Sequence, residues 1–275
     1  MLKAVEELDY LTSLEKIINA YEEIAANRMQ GIKKGVLENR EHLTEINQVF
    51  QIVKNSYQKQ VAVHKIVSSR NKIQQTARVF ISANTGLYGD LISRVFTVFR
   101  RELKDPGEAV IVGQLGKALM EKSYPGAKFT YFDFPDAKID NQIAKRLLDY
   151  LTPYEEVVIY HGLFKNIVMQ EASSSNITGG ALLPEAKEGD KRRLIFEPTL
   201  SKILGFFDTE IFASLLVQTI YESQLAKFSS RMASLDQATE NISQAAKQAI
   251  WENSREKHRQ VNRKQLGMLA SRQLW

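Results

Sequence analysis

The sequence predicts an α/β protein in which a central globular domain lies between two long terminal helices that pair as an antiparallel coiled coil. Apolar residues recur every three or four positions at both ends of the chain, and these ends contain almost no proline or glycine. Between them, strand-like and helical runs alternate. We therefore expect an N-terminal coiled-coil helix at 1–65, an α/β globular domain at 77–197 and a long C-terminal coiled-coil helix at 199–275.

The N-terminal segment is predicted to be one long helix. Residues 8–60 contain no proline, and their apolar residues step by three and four, which is the heptad pattern of a coiled-coil seam. One irregular pair of four-residue steps falls at Ala25. About 50 helical residues extend about 75 Å, so the helix needs a partner helix to bury its seam. The predicted seam residues are Leu11, Leu14, Ile18, Tyr21, Ala25, Met29, Ile32, Val36, Leu43, Ile46, Phe50, Val53 and Tyr57.

The middle of the chain alternates between runs typical of buried strands and runs typical of amphipathic helices. This order predicts a parallel sheet with helical crossovers. Strands are expected at 77–83, 108–113, 127–133, 155–162, 166–177 and 192–198. Helices are expected at 87–103, 114–123 and 140–151. A loop of glycine, proline and charged residues at 178–192 is expected to be mobile.

The C-terminal segment has a second helical seam and ends in a basic tail. A helix from about residue 208 extends about 100 Å, longer than its partner, so part of it is expected to stand alone or to lie inside another protein. Residues 252–275 hold six basic and two acidic side chains. Such a charge suits nucleic acid, anionic lipid or an acidic protein surface, and equally a solvated helix end. The predicted seam residues are Phe228, Met232, Leu235, Thr239, Ile242, Ala246 and Ala249.

Composition narrows the classes of protein that fit. The chain has no cysteine, which excludes disulfides, thiol catalysis and cysteine-ligated zinc. No apolar run approaches the roughly 18 residues that span a bilayer, and the acidic start MLKAVEELDYL lacks the features of a signal peptide. We therefore expect a cytosolic or peripheral protein.

Two pairs of glycines follow predicted strands and could cradle phosphate. They are Gly86 and Gly89 in FISANTGLYGDL, and Gly113 and Gly116 in GQLGKA. The first pair lacks both the lysine and the hydroxyl that a P-loop requires. The second has Lys117, but Ala118 stands in place of the hydroxyl and no glycine lies five residues before Gly116. Neither pair forms the G-x-G-x-x-G pattern of a dinucleotide site. We expect tight structural turns from strand to helix, with nucleotide binding as the lesser alternative.

The histidines do not predict a metal site. His42, His64, His161 and His258 lack the spacing of metal ligands along a helix, so they are expected to be exposed. The serines at 173–175 have no nucleophile-elbow frame around them. The sequence therefore predicts no catalytic residue, no metal and no cofactor.

Short motifs occur in a fixed order along the chain. KIINAYEEIAANRM fills 16–29, a Ser-x-x-x-Gly-Leu-x-Gly-x-Leu turn fills 82–91, and a Gly-x-x-Gly turn fills 113–116. A Glu-Pro pair at 197–198 precedes the last helix, in which ESQLAKFSSRMASLDQATEN fills 222–241. In this order the motifs resemble the gamma subunit of F-type rotary ATP synthases over nearly the whole chain. The acidic pair Glu22-Glu23 and the tail EKHRQVNRKQLGMLASRQLW depart from the usual pattern and indicate a divergent member.

The resemblance implies a rotor shaft without catalytic activity, which couples ion-driven rotation to the conformational cycle of nucleotide-binding subunits. The implied partners are alpha- and beta-type subunits of the catalytic head, an epsilon-type subunit and a membrane rotor ring, with no nucleic acid. The implied location is peripheral, at the cytoplasmic face of the cell (inner) membrane. The residues expected to contact partners are Lys257, His258, Arg259, Arg263, Lys264, Arg231 and Met232.

Several alternatives stay open at the level of sequence. One is a rotor-like subunit of a paralogous F-type ATPase that does not synthesise ATP. Another is a coiled-coil scaffold with an α/β head, whose seam would support homodimers. A third is a small enzyme that binds a phosphorylated ligand at 86–89 or 113–116. The basic tail could also bind nucleic acid, which predicts affinity that falls steeply with salt.

Overall fold

The computed structural model describes residues 2–57, 73–104, 109–136, 139–178 and 200–272. The predicted strand at 192–198, the Glu-Pro pair within it and nearly all of the predicted loop at 178–192 lie outside the described residues. Among the described helices, none combines the length and apolar character needed to cross a bilayer.

Five helices and five strands make up the described part of the chain. In order, they are α1 (Leu2–Tyr57), β1 (Ile73–Ile81), α2 (Leu91–Glu102), β2 (Ala109–Val112), α3 (Gln114–Ser123), β3 (Thr130–Phe132), α4 (Asn141–Leu151), β4 (Tyr154–Phe164), β5 (Gln170–Asn176) and α5 (Leu200–Arg272). A central α/β region with long terminal helices is therefore confirmed.

The chain divides into two compact units, and α1 and α5 each contribute to both. The α/β unit is Asn27–Ser230, and the terminal unit combines Met1–Ala26 with Arg231–Trp275. These units group residues by contact, whereas the three segments predicted from the sequence follow chain order. The boundaries of those segments stay a prediction.

The sheet of the α/β unit has the strand order β3-β2-β1-β4-β5. The pairs β1–β2, β1–β4 and β2–β3 are parallel, and β5 pairs antiparallel with β4 as a hairpin. The predicted parallel sheet with helical crossovers is confirmed for the first four strands. Because β2 and β4 lie on opposite sides of β1, the carboxyl ends of β1 and β4 form a topological switch point, the place where open α/β sheets usually bind ligands.

Both faces of the sheet are buried, as parallel strands require. On one face, Val79, Ile81 and Ile159 pack against buried residues of α4 and α5, among them Leu147 and Leu216. On the other, the aromatic residues Phe80, Phe99 and Tyr160 pack with further residues of α2 and α3. The alternation along β1 follows from the two-residue period of a strand.

Helix α2 begins later than the sequence predicts. The predicted start was residue 87, but the helix begins at Leu91. Leu87 has a φ of +69° and Gly89 a φ of +55°, and neither value continues a right-handed helix. The loop therefore extends to the N-cap at Asp90.

Within the α/β unit, α1 and α5 run antiparallel. As residue numbers increase along α1, the numbers of the α5 residues that they contact decrease, as in an antiparallel coiled coil. In order along α1, they join Arg28 to Phe228, Gly35 to Tyr221, Asn39 to Gln218, His42 to Glu210 and Phe50 to Phe207.

Among the predicted seam residues of α1 whose burial is described, which leaves out Tyr57, one differs from the prediction. Tyr21 is 47% exposed, so its prediction as a seam residue is wrong, and Glu22 is half-buried in its place. With Glu22, the steps through Ile18, Ala25 and Met29 become four, three and four, and the predicted irregularity at Ala25 disappears. Apolar character pointed to Tyr21, whereas the regular heptad period places Glu22 on the inner face.

Candidate functional site

The first candidate site lies at the carboxyl ends of β1 and β2, where the sequence left a phosphate site open. The carboxylate of Asp136, in the loop after β3, occupies the β1–α2 loop. Its Oδ2 accepts hydrogen bonds from the backbone N–H of Asn84, the backbone N–H of Thr85 and the hydroxyl of Thr85, each at 2.9 Å. Two backbone amides of this loop that could otherwise hold a phosphate are thus paired with an anion belonging to the chain itself.

The N-terminus of α3 is closed in a similar way. The backbone N–H groups of its first three residues donate to the end of β1: Gln114 to Asn84 Oδ1 at 2.8 Å, Leu115 to Ala83 O at 2.9 Å and Gly116 to Ser82 Oγ at 2.9 Å. A phosphate at a helix N-terminus needs these same donors.

The glycines of these turns have different roles. Gly113 has a φ of +96°, a conformation that favours glycine. A Cβ on Gly116 would come within 2.5 Å of Ser82 Oγ, so Gly116 allows α3 to approach β1. Gly89 supplies a left-handed position before α2, whereas Gly86 is exposed and nothing lies within 4 Å of where its Cβ would be.

Lys227 of α5 contacts both Asp136 and the end of β1. Its Nζ donates to Ser82 O at 2.9 Å and lies 3.4 Å from Asp136 Oδ1. The two charged side chains are 6% and 7% exposed, so this is a buried ion pair. It joins α5 to the loop after β3 and to the end of β1.

Two serines extend this junction along α5. Ser230 Oγ donates to Tyr88 O at 2.8 Å, and Ser229 Oγ donates to Ile167 O at 2.8 Å. We call Lys227, Ser229 and Ser230 the α5 clamp, because these three residues, in a stretch of four, bind the loops that follow β1, β3 and β4. No pattern in the sequence indicated the clamp.

A small pocket lies beside Lys227 and has room for about one water molecule. The amide Nε2 of Gln224, which lines it, is buried and has no hydrogen-bond partner in the described part of the chain. The lining is Ile81, Ser82, Val112, Phe134, Leu147, Ile220, Gln224 and Lys227. A nucleotide does not fit a pocket of this size.

His161 lies in the middle of β4 and is 1% exposed, so the expectation of an exposed histidine is wrong here. Its Nδ1 lies 3.0 Å from Gly162 O and its Nε2 lies 2.9 Å from Ser175 Oγ. The neutral ring fits both partners, with Nδ1–H donating to the carbonyl and Nε2 accepting from the hydroxyl. Burial lowers the pKa of His161, against smaller opposing effects of the Gly162 carbonyl and the Glu222 charge.

Of the other histidines, His42 lies on α1 and His258 lies on α5. His42 is about half exposed beside Glu210 on α5, and His258 lies on the exposed end of α5. His64 lies outside the described residues. Across the described ranges, no three histidine, aspartate or glutamate side chains come together as a metal site.

The second candidate site is the basic end of α5 in the terminal unit. The predicted seam of α5 is buried or half-buried from Phe228 to Ala249, and it continues to Asn253. From 254 to 269 every residue is exposed. We call 254–269 the basic end. It carries five of the predicted partner-contact residues, Lys257, His258, Arg259, Arg263 and Lys264, together with the exposed apolar residues Val261, Leu266, Met268 and Leu269.

The two remaining predicted contact residues lie differently. Arg231 is 7% exposed and Met232 is half-buried, so little of either side chain is available to a partner. Their part in partner binding stays a prediction.

Comparison with known proteins gives consistent results. A family model described as ATP synthase matches residues 5–262. The ATP synthase gamma chain of Mesoplasma florum is 26% identical over 235 residues, which cover 82% of this chain and 81% of the relative. The ATP synthase gamma chain of Clostridium kluyveri is 24% identical over 242 residues, covering 84% and 82%.

Solved structures share the fold. A chain of the Tetrahymena thermophila mitochondrial ATP synthase, from a structure of the central stalk and c-ring, aligns with a TM-score of 0.57 at 18% identity, over 81% of this chain and 99% of that one. A chain of the Euglena gracilis mitochondrial ATP synthase, from a structure of OSCP, F1 and c-ring, aligns with a TM-score of 0.52 at 13% identity, over 90% and 94%. Because the family model spans most of the sequence and the curated relatives are gamma chains, the chain belongs to the ATP synthase gamma-chain family.

Proposed function

We propose that this chain is the central rotor shaft of an F-type ATP synthase or ATPase and couples ion-driven rotation to the conformational cycle of nucleotide-binding catalytic subunits. The names of its relatives support this role, as do structural neighbours taken from a central stalk with its c-ring. The chain itself performs no chemistry in this proposal. Its proposed partners are alpha- and beta-type subunits of the head, an epsilon-type subunit and a membrane rotor ring.

The observation that carries the proposal is the composition of α5 along its length. A seam of apolar and small residues is covered as far as Asn253, and the basic end beyond it is exposed over 254–269. This helix end is exposed on all sides and carries exposed apolar residues among its charged ones. Such a surface is suited to lie inside another protein. We place the basic end in the opening of a ring of catalytic subunits.

The chemistry of the basic end suits a contact that must turn. Exposed ion pairs contribute little individually, typically about 0.2–1 kcal/mol. Lys257, Arg259 and Lys264 can therefore exchange one acidic partner for the next without a deep energy minimum. A shaft that presents a different face to each catalytic subunit shifts the open and closed states of each one, which is what coupling between sites requires.

The glycine turns support a shaft without catalytic activity. In the first loop the amides of Asn84 and Thr85 are paired with Asp136. At the N-terminus of α3 the amides of Gln114 and Gly116 are paired with Asn84 and Ser82. The location that follows from the proposed partners is peripheral, at the cytoplasmic face of the cell (inner) membrane, with attachment through the complex.

The first experiment is to purify the tagged chain from its native membranes, identify the proteins that accompany it by mass spectrometry, and assay the eluate for ATPase activity. We expect nucleotide-binding ring subunits and ATP hydrolysis. A homodimer without ring subunits would favour the scaffold alternative, and direct nucleotide binding by the isolated chain would favour the enzyme alternative. Hydrolysis that cannot be reversed by an ion gradient would indicate the paralogous, non-synthesising ATPase.

A further inference from the structure

We infer that the buried ion pair of Lys227 and Asp136 is the positioning contact that fixes the rotational register of α5 on the sheet. The inference rests on the proposed function, because the register matters only if torque passes between the α/β unit and α5. Lys227 and Asp136 touch no reacting atoms, and they act by holding the helix at one angle about its axis.

Apolar packing alone leaves this angle weakly defined. Leu216 and Ile220 of α5 pack on the sheet with Ile81 and Val112, and such contacts depend on buried area rather than on direction. A helix under torque can trade one apolar contact for a similar one. Hydrogen bonds, by contrast, weaken steeply when distance and angle change.

The α5 clamp supplies contacts whose strength depends on the angle of α5 about its axis. Lys227 Nζ reaches Ser82 O and Asp136 Oδ1, while Ser230 Oγ reaches Tyr88 O. The acceptors belong to two loops, and Asp136 is itself held by three donors of the β1–α2 loop. A small rotation of α5 would break several of these bonds together, so the clamp resists slip more strongly than packing of similar area.

A buried ion pair is a poor way to gain stability, since desolvating two charges offsets much of their attraction. Replacing such a pair by apolar residues of similar volume is often neutral or stabilising. Its remaining effect is to select one geometry. The clamp also occupies the last turn of α5 in the α/β unit, which ends at Ser230.

The test is the double variant Asp136→Leu with Lys227→Met, assembled in the native complex. The substitution removes the ion pair without leaving a single buried charge. We measure the ions transported per ATP hydrolysed and the thermal midpoint of the complex. We expect a lower midpoint, because Asn84 and Thr85 lose the acceptor of their hydrogen bonds, and in addition the loss of a large part of the transport per ATP. A role confined to stability would lower the midpoint and leave the ratio unchanged.

The matched control applies the same residue types to an exposed pair. Lys117 and Glu121 on α3 lie 3.9 Å apart and are about half exposed, so Lys117→Met with Glu121→Leu should leave the ratio unchanged. If the buried double variant does not assemble, Lys227→Met alone removes the ion pair and leaves the Asp136 carboxylate with its three donors in the β1–α2 loop, and the ratio should again fall. An unchanged ratio in the variant that assembles overturns the inference.

Failure of the proposed function is separable from failure of this inference. If the unmodified chain does not assemble with ring subunits and couple hydrolysis to transport, the proposed function fails. If it couples and the clamp variant couples equally well, the proposed function stands and the clamp is only a structural contact.

Discussion

At Gly116, the absence of a side chain allows α3 to lie against the end of β1. An added Cβ would come within 2.5 Å of Ser82 Oγ and 2.9 Å of Ile111 Cγ2. Alanine normally favours a helix over glycine by up to about 1 kcal/mol. We expect overpacking to outweigh this gain, so that Gly116→Ala lowers the free energy of unfolding by about 1–3 kcal/mol, measured by urea unfolding.

Gly31 of α1 offers the matched control. It is exposed, and nothing lies within 4 Å of the position of its Cβ. Gly31→Ala should raise the free energy of unfolding by about 0.5–1 kcal/mol, because only the helix preference changes. If both variants shift stability in the same direction, crowding at Ser82 is not what requires glycine at 116.

His161 predicts how stability depends on pH. Its ordinary pKa is 6.5 and burial lowers the folded value, so the unfolded chain binds the proton first as pH falls. Above pH 6.5 the ring is neutral in both states and contributes no pH dependence. Between pH 6.5 and the folded pKa, the free energy of unfolding should fall with decreasing pH, by at most about 1.4 kcal/mol per pH unit.

The measurement compares urea unfolding of the native chain and His161→Gln between pH 7.5 and 5.5. The variant should have a smaller slope in this interval, whatever its absolute stability. Because the two chains differ at one position, other titrating groups cancel in the comparison. Equal slopes would mean that His161 is protonated to the same extent in both states.

The contacts and burial of single residues were the least predictable features. Lys227 and Asp136 are 91 positions apart, so no local sequence pattern links them or indicates their ion pair. The burial of His161 was missed because a histidine within an apolar strand has no distinguishing spacing. Tyr21 was placed in the seam because it is apolar, whereas the helix period selected Glu22.

Among the elements, α5 carries a charge-based prediction. The triple variant Lys257→Ala, His258→Ala and Arg259→Ala should bind isolated ring subunits about tenfold more weakly at low salt, since exposed ion pairs contribute up to about 1 kcal/mol each. The difference in affinity between the native chain and the variant should become smaller as added salt shortens the screening length. Binding is measured by titration at several salt concentrations.

The control for this prediction changes neutral residues of the same stretch. Gln260, Asn262 and Gln265 are exposed on the basic end, and their triple alanine variant should bind as the native chain does. Equal weakening by both triples, or a difference that does not depend on salt, would show that charge does not govern the contact.

The elements themselves were largely predictable. Strands β1 to β4 were found from short apolar runs, and both long helices from steps of three and four, because these periods reflect burial directly. Boundaries were less certain, since they depend on single dihedral angles. The positive φ of Leu87 delays α2, and no residue preference predicts it in a leucine.

For the molecule as a whole, the order of motifs carried more information than any one of them. Each motif is short and common by itself, but their order along a chain of this layout predicted the family to which the chain belongs. Function is less determined by the fold, because one fold serves many roles. The assignment of partners therefore depends on the purification experiment and on the basic end.

The carboxylate of Asp136 has a consequence for how the chain responds to its surroundings. It lies at 2.9 Å from three donors of the β1–α2 loop, as an intramolecular ligand already in place. Because Asp136 is covalently part of the chain, its effective concentration at the loop is high, and a free nucleotide would have to displace it. We therefore expect changes in the nucleotide pool of the cell to leave Asn84 and Thr85 paired with Asp136.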